Sequence, residues 1–303
     1  MSHLLLLDAA ATAARLPYPA LVREIASVLG DPGVRVPARL VQPLPGGGSL
    51  FVMPAHDARV AITKLITFTP GNAKAGRPTI QGDVVVFDVE TGERRLVLDG
   101  PTVTARRTAA VSLLAAQRLA PNSAGPLLIV GAGTQGRSHL EAFAECLGIR
   151  EVLIHSRSGA SANALADLAR RFGLRARVVG DPDAALAECP LVVTCTPANA
   201  VVLKALPRDD AFLAAVGAFT PAMVELGPAL CRHCDLAGRI VVDTRDAEHE
   251  AGDLMQAGLD VAGYPALADV LATPDAAPRG PVLFKSCGWA GWDLAAARAA
   301  LLN

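Results

Sequence analysis

The run Leu127-Leu128-Ile129-Val130-Gly131-Ala132-Gly133-Thr134-Gln135-Gly136 constrains this chain more than any other stretch. Four apolar residues lead straight into G-x-G-x-x-G, and a helical pattern continues from Arg137 to Cys146. That order reads as a buried strand, a tight turn and a helix N-terminus. Gly131 permits the turn, Gly133 lets a pyrophosphate approach the backbone, and Gly136 lets the helix pack close to the strand. The unpaired N–H groups of the first helical turn and the helix dipole then attract phosphate. The motif alone is weak; its strand–turn–helix setting points to a dinucleotide.

The chain beyond Cys146 keeps the same rhythm. Strand patterns at Glu151–His155, Arg175–Val179 and Leu191–Thr196 alternate with helical ones, which predicts a parallel, doubly wound Rossmann-type sheet. Further strands are expected at Phe212–Val216, Arg239–Val242 and Val282–Ser286, and helices at Thr244–Gly252 and Tyr264–Leu271. Trp292–Leu302 reads as a closing amphipathic helix.

The first hundred or so residues read differently. Leu4–Leu7 suggests a short strand, Asp8 a helix cap, and Tyr18–Leu29 a helix with Leu21, Ile25 and Val28 on one face. Strand-like segments come next at Arg39–Gln42, Ser49–Met53, Val60–Thr67, Gly82–Asp88 and Glu93–Leu98, separated by turns such as Pro45-Gly46-Gly47-Gly48. Strands without intervening helices predict an antiparallel or mixed sheet. Thr104–Leu119 reads as a helix whose first turn holds Arg106, Arg107 and Thr108. Cations there oppose the dipole, so a held anion is the expected compensation. The expected organisation is an N-terminal α+β substrate and dimerisation domain, residues 1–120, completed by the C-terminal helix at 285–303, around a nucleotide domain at 121–284.

Length, charge and cysteines narrow the function. A chain of 303 residues suggests about two domains. A net charge of −1 argues against nucleic acid. No apolar run approaches the ~20 residues that span a bilayer. The N-terminal leucines lack a basic leader and meet Asp8 at once, so no signal peptide is expected, and a cytoplasmic location is. Six scattered cysteines read as free thiols. Cys231 and Cys234 lack a second pair at zinc spacing, so no metal is expected.

A ribose-reading acid is expected about 20 residues past the glycines when the cofactor is NAD. Here Ser156-Arg157-Ser158 ends the second strand instead. Arg157 suits a 2′-phosphate, with two flanking hydroxyls to help hold it. NADP(H) is therefore the preferred cofactor, with NAD(H) second. His139, in the helix after the turn, and His56, in a loop, are not expected to be catalytic.

Several short motifs in one order carry a wider resemblance. They are Val52-Met53-Pro54, Lys64 in a strand, Gly76-Arg77-Pro78-Thr79 with Gly82, and Thr91-Gly92 with Leu98-Asp99-Gly100. They continue through the segment Thr104 to Ala110, the glycine turn with Gln135, Val216-Gly217 with Pro221 and Glu225-Leu226, and Ser286-Cys287-Gly288 with Asp293-Leu294. With them the chain resembles the ornithine cyclodeaminase/mu-crystallin family over nearly its whole length.

The resemblance implies a homodimer whose N-terminal domain supplies substrate contacts and the dimer interface. It implies that Arg39, Lys64 and Arg107 grip a substrate carboxylate beside a nicotinamide. It puts Thr79, Gln135, Thr194, Thr196 and Ser286 at the cofactor; Arg107, Thr108, Val216 and Gly217 are expected there too, beside the turn residues Gly131, Ala132, Gly133, Thr134, Gln135 and Gly136 and the strand-end residues Ser156, Arg157 and Ser158 read above. Ornithine cyclodeaminases carry acids where this chain has Phe51 and the segment around Phe219. A phenyl ring neither takes a proton nor pairs an ammonium. Burying ornithine's distal ammonium there would cost several kcal/mol. A small cyclic imino acid fits better: a Δ1-pyrroline-2-carboxylate or Δ1-piperideine-2-carboxylate reductase, with Lys64 as proton donor and water as its rival. Alanine dehydrogenase-type or cyclodeaminase chemistry, and a non-catalytic NADPH-binding role, are the alternatives.

Overall fold

The computed structural model describes residues 4–197, 199–273 and 279–303. Two compact units emerge: Met1–Arg107 with Trp289–Asn303, and Thr108–Gly288.

The first unit is built on a six-stranded mixed sheet. In chain order it holds β1 (Leu5–Leu6), α1 (Ala9–Ala14), α2 (Tyr18–Gly30), β2 (Leu40–Leu44), β3 (Gly48–His56), β4 (Val60–Phe68), β5 (Ile80–Asp88) and β6 (Arg94–Asp99). α3 (Gly100–Leu119) comes next, and the unit is completed by the closing helix Ala290–Leu302. The sheet order is β1-β6-β5-β4-β3-β2, antiparallel from β2 to β6, with β1 parallel to β6. Asp8 caps α1 as expected, accepting from the Ala11 N–H at 2.8 Å. The inner face of α2 buries Tyr18, Leu21, Ile25 and Val28.

Three expectations change here. α3 begins at Gly100, because Asp99 accepts from the Thr102 N–H at 2.8 Å and caps it. Arg106 and Arg107 therefore sit in the second turn, where the dipole argument no longer applies. Arg106 stacks 4.0 Å over the Tyr18 ring and donates to the Leu16 carbonyl. The closing helix is not amphipathic: every residue from Ala290 to Ala300 is buried. Its alanines let neighbouring elements approach on all sides, and it packs on α2 and strands β3 to β5. His56 ends β3 rather than lying in a loop.

Arg298 anchors that helix. Its Nε donates to Asp57 at 2.5 Å and its Nη2 to Asp31 at 2.6 Å. The Arg298 hydrogen bond and the Gly33 N–H hold the Asp31 carboxyl below its usual 3.8. Burial pushes Asp57 up, but the N–H groups of Arg59 and Val60 and the Arg298 charge outweigh it.

The second unit is the doubly wound sheet. Its elements are β7 (Leu127–Val130), α4 (Thr134–Leu147), β8 (Glu151–His155), α5 (Gly159–Arg171), β9 (Arg175–Val178), α6 (Pro182–Leu186) and β10 (Leu191–Thr194). They continue with β11 (Asn199–Leu203), β12 (Phe212–Ala215), β13 (Val224–Leu226), α7 (Pro228–Ala237), β14 (Arg239–Val242), α8 (Gly252–Gln256), α9 (Leu267–Ala272) and β15 (Val282–Lys285). Seven strands run parallel in the order β14-β15-β12-β10-β7-β8-β9. β11 and β13 pair separately, also in parallel. The helices expected at Thr244–Gly252 and Tyr264–Leu271 are shorter: a 3-10 turn at Arg245–His249, then α8 and α9. Among the described residues no helix is long and apolar enough to cross a membrane.

Candidate active site

In the first unit, strand alternation explains where the cations lie. Val60, Ile62, Lys64 and Ile66 share one face of β4 and all are buried. Lys64 thus stands at an apolar position of its strand. Leu65, on the opposite face, is 45% exposed, and Phe68, at the strand end on the Lys64 face, is 37% exposed. Lys64 pairs across the sheet with Met53 and Val84, and Phe51 lies opposite Ile66. Directly opposed residues share a face, so half-buried Phe51 is on the Lys64 side. Arg39 immediately precedes β2, one residue before the Leu40–Val52 pair.

Arg107 approaches from α3 and Asp293 from the first turn of the closing helix. Lys64 Nζ lies 3.3 Å from both oxygens of Asp293, and Arg107 Nε is 3.2 Å from Oδ1. Asp293 is fully buried, while Lys64 and Arg107 keep 2% and 7% of their side chains exposed. Lys64 falls from 10.5 to about 8. Burial is the main cause; Asp293 opposes it, and Arg107 and Arg39 add to it. Desolvation thus outranks the neighbouring cations in lowering it.

The anion expected beside Arg107 is the chain's own carboxylate. The acids absent at Phe51 and around Phe219 are not replaced there; Asp293 enters instead from 229 positions beyond Lys64. Its signal was present, a lone carboxylate between Trp292 and Leu294 in an otherwise apolar helix.

In the second unit, the glycine turn leaves β7 at its carboxyl end, between the diverging strands β8 and β10. That is the topological switch point where such sheets bind ligands. Gly131 has φ +117°, a conformation L side chains rarely adopt. A Cβ on Gly136 would lie 2.1 Å from the Gly131 carbonyl, whereas one on Gly133 meets open space. The turn is therefore tight where it packs and clear where a phosphate would approach. Helix α4 begins at Thr134, so the first-turn N–H groups face the turn. Ala132 and Gln135 are half-buried, and Thr134 is exposed.

Ser156, Arg157 and Ser158 come after β8; Arg157 is exposed, and the Ser158 hydroxyl accepts from Ser161 N–H to cap α5. His139 is buried between the Gln135 carbonyl and Ser112, and burial pulls it down to about 4.

Thr194, Thr196, Gly217 and Ser286 gather around two buried carboxylates that no local sequence pattern announces. Glu225 accepts from Thr194 Oγ1 at 3.0 Å, Thr196 N at 2.6 Å, Thr196 Oγ1 at 2.8 Å and Gly217 N at 2.7 Å. Burial pushes its carboxyl up, with the Lys285 charge and the Thr196 N–H opposing. Thr194 and Thr196 thus hold the loops after β10 and β12 together through Glu225, and Val216 N bonds back to Thr194 O. Asp243 accepts from the Ser286 hydroxyl at 2.8 Å and from the N–H groups of Cys287 and Gly288. Thr108 is buried in α3, half-buried Thr79 accepts from Thr69 N–H through its carbonyl, and Phe219 is 40% exposed in the loop after β12.

Fold and site define a class: a Rossmann-type chain with a separate α+β unit that buries an ion cluster. Comparison then identifies the family. The ornithine cyclodeaminase/mu-crystallin family matches residues 26–301, and this chain belongs to it. It is 40% identical to the Azospirillum brasilense protein named Δ1-pyrroline-2-carboxylate/Δ1-piperideine-2-carboxylate reductase, over 99% of this chain and 96% of that one. It is 35% identical to mouse ketimine reductase mu-crystallin, covering 88% and 85%. The fold matches the Thermococcus litoralis Δ1-pyrroline-2-carboxylate reductase, solved with NADH and L-proline, at a TM-score of 0.85 and 23% identity, covering 98% and 95%.

Proposed function

We propose that this chain is an NAD(P)H-dependent reductase of cyclic ketimines, taking Δ1-pyrroline-2-carboxylate to L-proline and its six-membered homologue to L-pipecolate. The observation that carries this reading is the buried cluster of Lys64, Arg107 and Asp293, with Arg39 close enough to depress Lys64. Lys64 and Arg107 are two buried cations on one carboxylate, so the cluster favours one more anion. A substrate carboxylate supplies that charge, and Arg39, Lys64 and Arg107 orient it.

The residues of the glycine turn suit a dinucleotide: the space beside Gly133 is open, and the N–H groups at the start of α4 are placed for a pyrophosphate. When bound, the reduced nicotinamide supplies the hydride. Lys64, brought down to about 8, is mostly protonated at neutral pH and gives its proton to the ring nitrogen of the imine. Phe51 on the Lys64 face supplies apolar surface for a ring that carries no second ammonium.

Exposed Arg157 after β8, with no acid beside it, supports NADPH over NADH. Leu40, Val52 and Leu65 form a cross-strand apolar row on the outer face of the first sheet, with Leu40 57% and Leu65 45% exposed. Such a row supports a homodimer through that face. Six free cysteines fit a reducing, cytoplasmic setting.

The test is a substrate panel with both cofactors: the two cyclic imines, pyruvate with ammonia, and L-ornithine. NADPH oxidation with the imines is expected to dominate. Turnover of pyruvate or ornithine alone would overturn the reading.

A further inference from the structure

Among the described residues, Asp293 is the one fully buried carboxylate that touches both Lys64 and Arg107, and nothing in the proposed reaction requires an acid there. Its geometry divides each cation into a protein-facing and a ligand-facing part. The Lys64 ammonium has three N–H donors, and the two Asp293 oxygens take those on one side, at 3.3 Å each. Arg107 gives Asp293 its Nε. Among the described residues, no partner contacts the terminal nitrogens of Arg107. They form the forked edge that matches a carboxylate.

We propose that Asp293 is a positioning residue: it turns the third Lys64 N–H and the terminal edge of Arg107 toward the substrate, and it keeps Lys64 protonated. This rests on the reductase reading. The physical reason is charge balance. Without Asp293, Lys64 would lose the carboxylate it touches while Arg107 stayed beside it in a water-poor site, and both burial and like charge would expel its proton. A carboxylate that only neutralised buried charge would contact the cations from any side. This one leaves a donor on each cation uncommitted.

The experiment compares wild type, Asp293→Asn and Asp293→Glu by two readouts. One is the 15N titration of the Lys64 Nζ, assigned with Lys64→Met. The other is the pH profile of kcat/KM with the pyrroline substrate. In Asp293→Asn, the Lys64 midpoint is expected to fall by about 1–2 pH units, and the alkaline limb of kcat/KM to fall with it. Asp293→Glu keeps the charge, so the midpoint and limb stay near wild type. KM rises several-fold, because the longer arm re-aims Arg107.

A midpoint that stays put in Asp293→Asn overturns the proposal, as does a limb that does not follow it. If the neutral variant does not fold, an unchanged KM in Asp293→Glu overturns it instead. A wild type that turns over no imine sinks the reductase reading separately, and the nitrogen titration still decides whether Asp293 holds the Lys64 proton.

Discussion

Replacing Lys64 with Met is expected to cut turnover steeply and stabilise the fold at neutral pH. Lys64 ionises at about 8 in the folded chain against 10.5 for a free lysine. Each pKa unit corresponds to about 1.4 kcal/mol, so burying the charged form costs about 3 kcal/mol below pH 8. Between pH 8 and 10.5 the unfolded chain holds a proton that the folded chain has lost. Wild-type stability therefore gains from this group as pH rises through that window, and below it the full penalty applies.

Methionine removes the penalty and fills much of the volume. It does not strand the carboxylate, because Asp293 keeps Arg107 at 3.2 Å. The variant should be up to about 3 kcal/mol more stable than wild type at pH 7, with the gap closing toward pH 10.5. Urea unfolding read by tryptophan fluorescence suits the question, since Trp289 and Trp292 are the chain's only tryptophans and both lie in the first unit. The loss in kcat/KM should be about 10²–10⁴-fold. A variant less stable than wild type at pH 7, with a gap that ignores pH, would refute the reasoning.

Gly136→Ala puts a methyl 2.1 Å from the Gly131 carbonyl, so it should destabilise by about 1–3 kcal/mol and weaken NADPH binding about tenfold or more, read by cofactor fluorescence titration. Arg298→Ala leaves Asp31 and Asp57 without their shared cation and should lose about 3 kcal/mol at neutral pH in urea melts. Because both carboxyls are held below 3.8, that deficit should shrink as pH falls through this range and they protonate in either protein. Leu65→Lys should convert a dimer to monomers in light scattering without changing the far-ultraviolet circular dichroism; a wild type already monomeric would remove the proposed outer-face interface.

Local patterns carried the nucleotide half a long way. An apolar strand ending in glycines needs no distant partner to be read, because φ +117° at Gly131 and the close contact at Gly136 are demands of the turn itself. The alternation of β4 likewise set Lys64 on the apolar face of its own strand. At α3 the local signal misleads: the paired arginines suggest a helix start, whereas Asp99, several residues earlier, is the residue that caps it.

The sequence by itself determined the strand–turn–helix of the nucleotide half, the places in that turn where the backbone needs glycine, and the apolar side of β4 on which Lys64 lies, since these follow from residues within one or two turns of each other. Only the tertiary structure decided that β15 inserts between β12 and β14, that Glu225 ties the loops after β10 and β12, and that Asp293 reaches Lys64 across 229 positions of chain. A buried charge takes whichever opposite charge the packing brings within hydrogen-bond reach, and no periodicity along the chain records that choice.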